Sequence, residues 1–418
     1  MNYKWRALAL LWVAFFLQQG TRQVFNATQT AISSSLLLDP TQIGLVGTVF
    51  TFIYGLSVPF AGIAADMLNR KWMVVSGVFV FCLGIFASGF VSCLGLLLVT
   101  YGILNGFGQS FYYPSATSII GQLHKETRAT ALSILQMGLY VGIIGCSVAS
   151  GWLAEGGADG WRVPFKMFGG IGILWAVVMV FLLRDTKPAE SQGAAVEKPS
   201  LGEVAKMFFG NPSAILLAVG LGMMVYVDVG FKQWMPAHLE ETFNLTKGPA
   251  ALNAVLWHYI GAFIGVTLGA RVSDRFVKAR PSVRMETNIA GLALAVPFIV
   301  WMAYAPSLLS CAVAMALFGV FRGVYDSNLM ASLFDIIPQK YHASGAGIML
   351  SFAFVFGSTS PLILGVLKER FASSTGLATL AIVYLVGAAV IAVARRHEYG
   401  THETAKTDGT PPLSRSSR

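Results

Sequence analysis

Gly62-Ile63-Ala64-Ala65-Asp66-Met67-Leu68-Asn69-Arg70-Lys71 ends one long apolar run, and Ala270-Arg271-Val272-Ser273-Asp274-Arg275-Phe276-Val277-Lys278 ends another far downstream. In each, an aspartate is followed four residues later by a cation, Arg70 in the first and Lys278 in the second. Two further matches keep the same order. Asn105-Gly106 with Ser110 is echoed by Arg322-Gly323 with Ser327, and Arg22-Gln23 by Lys232-Gln233. Self-similarity at a nearly fixed offset marks an internal duplication, here of a unit of six helices.

The surrounding composition says what kind of helices these are. Of 418 residues, 55% are hydrophobic and 12% charged, against about 25% charged in soluble domains. A helix needs about 20 apolar residues to cross the hydrocarbon core, and twelve such runs follow one another between short polar breaks. They are continuously apolar, without the alternating signal of barrel strands, so an all-α polytopic membrane protein is expected. The first six helices are predicted at about 5–33, 42–66, 72–90, 94–120, 130–153 and 164–183. The second six are predicted at 213–237, 249–271, 285–304, 308–335, 343–367 and 374–394. This divides the chain into a first bundle (1–183), a linker (184–211), a second bundle (212–394) and a polar tail (395–418), with linker and tail cytoplasmic and the tail disordered. Within the linker, Ser200-Leu201-Gly202-Glu203 reads as a capping box opening a short interfacial helix.

The net charge of +9 suggests nucleic acid until it is located. The N-terminus, every second connection, the linker and the tail carry most of the 29 Lys and Arg, and the opposite connections only Arg162, Lys247, Lys368 and Arg370. That bias is topological: it predicts both termini in the cytoplasm and no nucleic-acid partner. Cys82, Cys93, Cys146 and Cys311 lack metal or redox spacing and read as small packing residues. The first apolar run is too long for a signal peptide and lacks a cleavage site.

The charges left inside the helices are few. Arg22 lies in the first, in a stripe with Gln18, Asn26 and Gln29; an arginine at mid-membrane costs about 2.5–3.5 kcal/mol and faces protein or water. Asp228 and Lys232 lie in the seventh helix, His258 in the eighth, Arg322 and Asp326 in the tenth. Both acid–base pairs are four residues apart and can pair on one helix face, whereas no acid lies within four residues of Arg22. An arginine fork suits a carboxylate, which makes Arg22 the sharpest candidate for an anion site. Asn105, Gln109, Tyr112 and Tyr113 offer uncharged hydrogen-bonding groups, although two adjacent tyrosines cannot both face one cavity. His258 is either a proton relay or a hydrogen-bonded packing residue.

With these residues in view, the chain resembles the major facilitator superfamily of secondary transporters over essentially its whole length. The Gly62, Asp66, Arg70, Lys71 loop is similar to the family's loop signature, echoed at Asp274. The resemblance implies a cytoplasmic gate containing Gly62, Asp66, Arg70 and Asp274, and a central cavity lined by helices one, four, seven and ten. Arg22 and the run Gly106-Phe107-Gly108-Gln109-Ser110-Phe111-Tyr112-Tyr113-Pro114 resemble the organic-anion (anion:cation) symporter branch. Gly102 stands where many drug/proton antiporters carry an arginine, and Gly142-Ile143-Ile144-Gly145-Cys146 lacks the antiporter Gly-Pro.

The expected protein is a twelve-helix secondary transporter with two pseudo-symmetric six-helix bundles, not an enzyme, with no cofactor or metal. It is a monomer in a bacterial inner membrane and imports a small organic anion, such as a sugar acid, with protons. Arg22, Lys232 and Arg322 face the carboxylate, Asn26, Asn105, Gln109 and Tyr113 complete the substrate site, and Asp228, Asp326 and His258 handle the proton. Two other readings stay open. An exporter of amphipathic cations or lipids would need acids without paired bases, and a transporter-like sensor would bind ligand without flux.

Overall fold

A computed structural model describes residues 3–184 and 201–407. The helices of the first half are α1 (Tyr3–Leu36), α2 (Pro40–Met67), α3 (Arg70–Ser88), α4 (Leu94–Leu123), α5 (Arg128–Leu153) and α6 (Arg162–Leu182). Those of the second are α7 (Pro212–Phe243), α8 (Lys247–Phe276), α9 (Val283–Ala303), α10 (Leu308–Ile336), α11 (Ser344–Arg370) and α12 (Ser373–Thr407). No strand occurs among the described residues. Eleven of the twelve are long and apolar enough to cross a membrane. The exception is α1, where Gln18, Gln19, Arg22, Gln23, Asn26 and Gln29 interrupt the apolar run.

Local sequence sets the ends. Asp39 caps α2 by accepting from the Gln42 backbone N–H at 2.7 Å while Gln42 accepts from the Asp39 N–H at 3.2 Å, with Pro40 in the first turn. This moves the start of α2 two residues before the expected Gln42. Asn69 caps α3, and Asn211 followed by Pro212 opens α7. The short helix Leu201–Phe209 is present, with Val204 and Phe208 buried; its expected cap, Ser200, and the rest of the linker at 185–200 lie outside the described residues. Residues 395–407, expected as tail, continue α12 because nothing breaks the helix at Ala394, and Arg395 pairs with Glu286 at 2.9 Å. Residues 408–418 lie outside the described residues.

Two helices depart from regular geometry near the middle. In α4 a π segment, Leu98–Asn105, precedes the turn Gly106–Ser110, and the helix breaks again at Phe111. Pro114 explains the second break, since it offers no N–H to Ser110. Pro361 acts likewise in α11, which is interrupted at Ser358.

Packing follows the duplication. Within the halves, α1 packs on α5 as α7 does on α11, α3 on α6 as α9 on α12, and α2 on α4 as α8 on α10. Between the halves, α2 packs on α11 and α5 on α8, which are equivalent pairs under the same exchange. The ties across this seam cluster toward the end bearing the α1–α2 and α7–α8 connections. Thr30 donates to Glu240 at 2.8 Å, the Leu362 N–H to Thr48 at 3.2 Å, the Thr41 N–H to Glu369 at 3.1 Å and the Gly248 N–H to Glu155 at 3.1 Å. The backbones there nearly touch: a Cβ at Gly44 would collide with the Pro361 carbonyl, and one at Gly365 with the Pro40 carbonyl. At the other end, a Cβ at Gly62 would meet nothing within 4 Å.

Candidate functional site

Between the halves lies a cavity of about 350 Å³. Its polar lining comes chiefly from α1 (Gln19, Arg22, Gln23, Asn26) and α7 (Asp228, Lys232), with Gln136 from α5 and Tyr113 from α4. Phe50, Thr51 and Tyr54 of α2 and Phe354 of α11 contribute to the wall. The lining thus differs from the expected quartet. Helices α2, α5 and α11 contribute, and α10 does not.

Arg22 is held by neutral groups. Its Nε donates to Gln109 Oε1 at 2.5 Å, and the guanidinium carbon sits 4.4 Å from the Tyr54 ring centre and 5.7 Å from that of Phe50. Gln109 is itself fixed: its Nε2 donates to Asn105 Oδ1 at 2.9 Å, which turns Oε1 toward the arginine. Gln18 donates to the Gln109 carbonyl at 2.6 Å, tying the broken stretch of α4 to α1. Among the described residues no carboxylate lies within salt-bridge reach of Arg22, and its buried Nη2 has no hydrogen-bond partner. An unsatisfied charged donor out of water is costly.

Two predicted site residues and two members of the Arg22 stripe therefore lie away from the cavity. Asn105 and Gln109, expected to read hydroxyls, are fully buried and position Arg22 instead. Gln18 and Gln29, expected on the Arg22 stripe, are buried away from the cavity, Gln18 against α4 and Gln29 donating to the Gln233 carbonyl of α7. A helix advances about 100° per residue, which puts Gln18 and Gln29 to one side of Arg22 and Asn26, Gln19 and Gln23 to the other; the cavity face is Gln19, Arg22, Gln23 and Asn26. Asn26 donates to Gln23 at 3.1 Å. Tyr113 lines the cavity, while Tyr112 is fully buried and donates to the Leu11 carbonyl.

The second half is built oppositely. Asp228 accepts from Lys232 at 2.7 Å, the intrahelical pair expected from spacing, and lies 3.1 Å from Arg322 Nη2 across to α10. Arg322 is 3.6 Å from Asp326 and its Nη1 is 3.1 Å from His258 Nε2. Arg322, expected to face substrate, is committed to this network behind the cavity wall, with 12% of its side chain exposed. His258 is fully buried between Phe231 and Phe318, ring centres 4.9 and 5.0 Å away. It belongs to this network and does not line the cavity.

The gate residues lie away from the cavity. Gly62 is in an open stretch, Arg70 begins α3 and is mostly buried, and Asp274 is exposed near the end of α8. The side chain of Asp66 lies outside the described residues.

Sequence reading missed Gln19, Gln23, Gln136, Thr51 and Tyr54. Only the Arg22-Gln23 and Lys232-Gln233 repeat hinted at one of them, and Gln233 also lines the cavity while donating to the Ile43 carbonyl at 3.1 Å.

A family model described as Major Facilitator Superfamily matches residues 11–361. The "Probable sulfoacetate transporter SauU" of Cupriavidus necator is 24% identical over 384 residues, covering 88% of this chain and 87% of that protein. The "Probable galactarate/D-glucarate transporter GudP" of Escherichia coli is 22% identical over 431 residues, 94% of this chain and 92% of that one. The solved structure of a bacterial homolog to the human lysosomal transporter Spinster, inward-facing and unoccupied, superposes with a TM-score of 0.82 at 20% identity, over 99% of this chain and 100% of the other.

Proposed function

The chain belongs to the Major Facilitator Superfamily, and on that premise we propose that it imports a small organic anion, a sugar acid or another carboxylate, together with protons. The observation that carries this reading is Arg22: a guanidinium on the cavity wall, anchored through Nε by a neutral amide, with a buried Nη2 that no protein group satisfies. A carboxylate is the group that both neutralises and hydrogen-bonds such a fork. Gln19, Gln23, Asn26, Gln136 and Tyr113 then offer amides and a hydroxyl to substrate hydroxyls. Relatives named for sulfoacetate and for galactarate and glucarate support an anionic substrate.

Proton coupling is assigned to Asp228. It lies on the cavity wall and neutralises Lys232 and Arg322 together, so a proton on its carboxyl releases Lys232 toward the substrate. Asp326, at 3.6 Å the looser partner of Arg322, is a second carrier. The halves then rock about the substrate, with Gly62, Asp66, Arg70 and Asp274 in the gate at the end away from the closed seam. Given the positive-inside bias, that end faces the cytoplasm of a bacterium, both termini with it, and the chain acts as a monomer.

The test is uptake into proteoliposomes of a panel of sugar acids and monocarboxylates, preselected by ligand-induced rise in melting temperature. An imposed inward proton gradient is expected to accelerate uptake, and indifference to it would remove the proton from the mechanism. A second reading, export of an amphipathic cation or lipid, draws on the apolar wall of Phe15, Phe50, Leu139, Leu350 and Phe354. It predicts competition by amphiphiles but not by sugar acids.

A further inference from the structure

Away from the central cavity, α1 and α6 enclose a groove of about 560 Å³ on the flank of the first half. Its mouth is formed by Tyr3, Arg6 and Arg184 and its depth by Ala9, Val13 and Trp175. The mouth is built. The Arg184 N–H donates to the Tyr3 hydroxyl at 2.6 Å, and the Arg184 guanidinium carbon lies 4.9 Å from the Tyr3 ring centre. The depth is fixed as well, because the Trp175 indole N–H donates to the Leu10 carbonyl at 3.1 Å. Among the described residues neither Arg6 nor Arg184 belongs to a salt bridge, and both are exposed.

Dimensions and charge together select the occupant. From Tyr3 to Val13 the helix rises about 15 Å, half of a hydrocarbon core of about 30 Å, so the groove spans one leaflet from the surface where α1 begins and α6 ends. Two cations with no ion pair among the described residues stand at headgroup height above an apolar channel one acyl chain deep. A free phosphate would leave the channel without an occupant, and a zwitterionic lipid would bring its own cation beside the phosphate and leave the two arginine charges in net excess. We propose that this groove is a specific site for one anionic phospholipid, its phosphate between Arg6 and Arg184 and one acyl chain along Ala9, Val13 and Trp175. Juxtamembrane arginines attract anionic lipid; the groove converts that attraction into a defined binding position.

Native mass spectrometry of the detergent-purified full chain tests it, titrating phosphatidylglycerol and phosphatidylcholine of equal chain length. The intact protein is expected to retain one phosphatidylglycerol in preference to phosphatidylcholine by about tenfold. Arg6→Gln with Arg184→Gln should abolish the preference, and Ala9→Phe should reduce retention of both lipids by filling the channel. Lys125→Gln with Arg128→Gln, two exposed cations outside the groove, should leave the preference intact. Equal retention of the two lipids by the parent protein would overturn the proposal. So would an equal loss in both double variants, which would mean general charge attraction, or full competition by glycerol 3-phosphate, which would mean a headgroup site alone.

Discussion

The two halves of this transporter place cations at the same cavity by opposite means. In the first half Arg22 is fixed by Gln109, which Asn105 orients, and by the Tyr54 ring. All three groups are neutral, so position is fixed and charge is left uncancelled. In the second half Asp228 sits between Lys232 and Arg322, with Asp326 and His258 beyond. There the charges cancel within the protein. On the proposed function, the difference would separate two tasks, a standing anion site on α1 and a switch on α7 and α10.

The comparison breaks most visibly at Asp228. Asp228→Asn leaves Lys232 and Arg322 without their shared counter-charge, and losing one partner of a buried pair costs about 3–5 kcal/mol. Its melting temperature should fall clearly below that of the parent; an unchanged value would mean that the second-half network is not a closed electrostatic unit. Arg22→Ala should do the reverse. Stability holds or rises because an unpaired cation is removed, while carboxylate uptake drops about 10- to 100-fold with the loss of charged hydrogen bonds of about 1.5–3 kcal/mol. Near-normal uptake would remove Arg22 from the site.

Gln109→Glu sharpens the contrast by rebuilding the first half in the image of the second. An acid against Arg22 should lower uptake about tenfold while the fold is retained, and Gln109→Leu, which frees the arginine without neutralising it, should cost less. Equal losses in the two variants would show that Gln109 matters through shape alone. The smallest effect belongs to Tyr54→Leu, which removes a cation–π contact of about 0.5–2 kcal/mol. Its KM should rise several-fold with kcat unchanged, and a loss confined to kcat would place Tyr54 in the conformational step instead.

How much of this was legible in the sequence depends on range. The helices, the duplication and the Asp228–Lys232 pair all follow from spacing within one segment, and an arginine in an apolar run announces itself by its cost. The Asp228–Arg322 and His258–Arg322 contacts join different helices, so no spacing records them. Asn105 and Gln109 read as ligands in the sequence because an amide carries the same signal whether it faces a substrate or another side chain. Tyr54 and Gln136 were invisible for a related reason: neither is expensive enough at membrane depth to stand out. The expected lining from α10 is absent because Arg322 pairs with Asp228 and Asp326 behind the wall.

The paired close approaches of α2 and α11 carry a consequence for anyone wishing to trap the protein. Gly44 lies against the Pro361 carbonyl and Gly365 against that of Pro40, so one added methyl at either place is a wedge driven into the shut end. Gly44→Ala and Gly365→Ala leave the cavity chemistry untouched, yet each penalises only the arrangement in which these backbones meet. They are handles for capturing the opposite arrangement, in which the cavity opens past the seam that the wedge keeps apart.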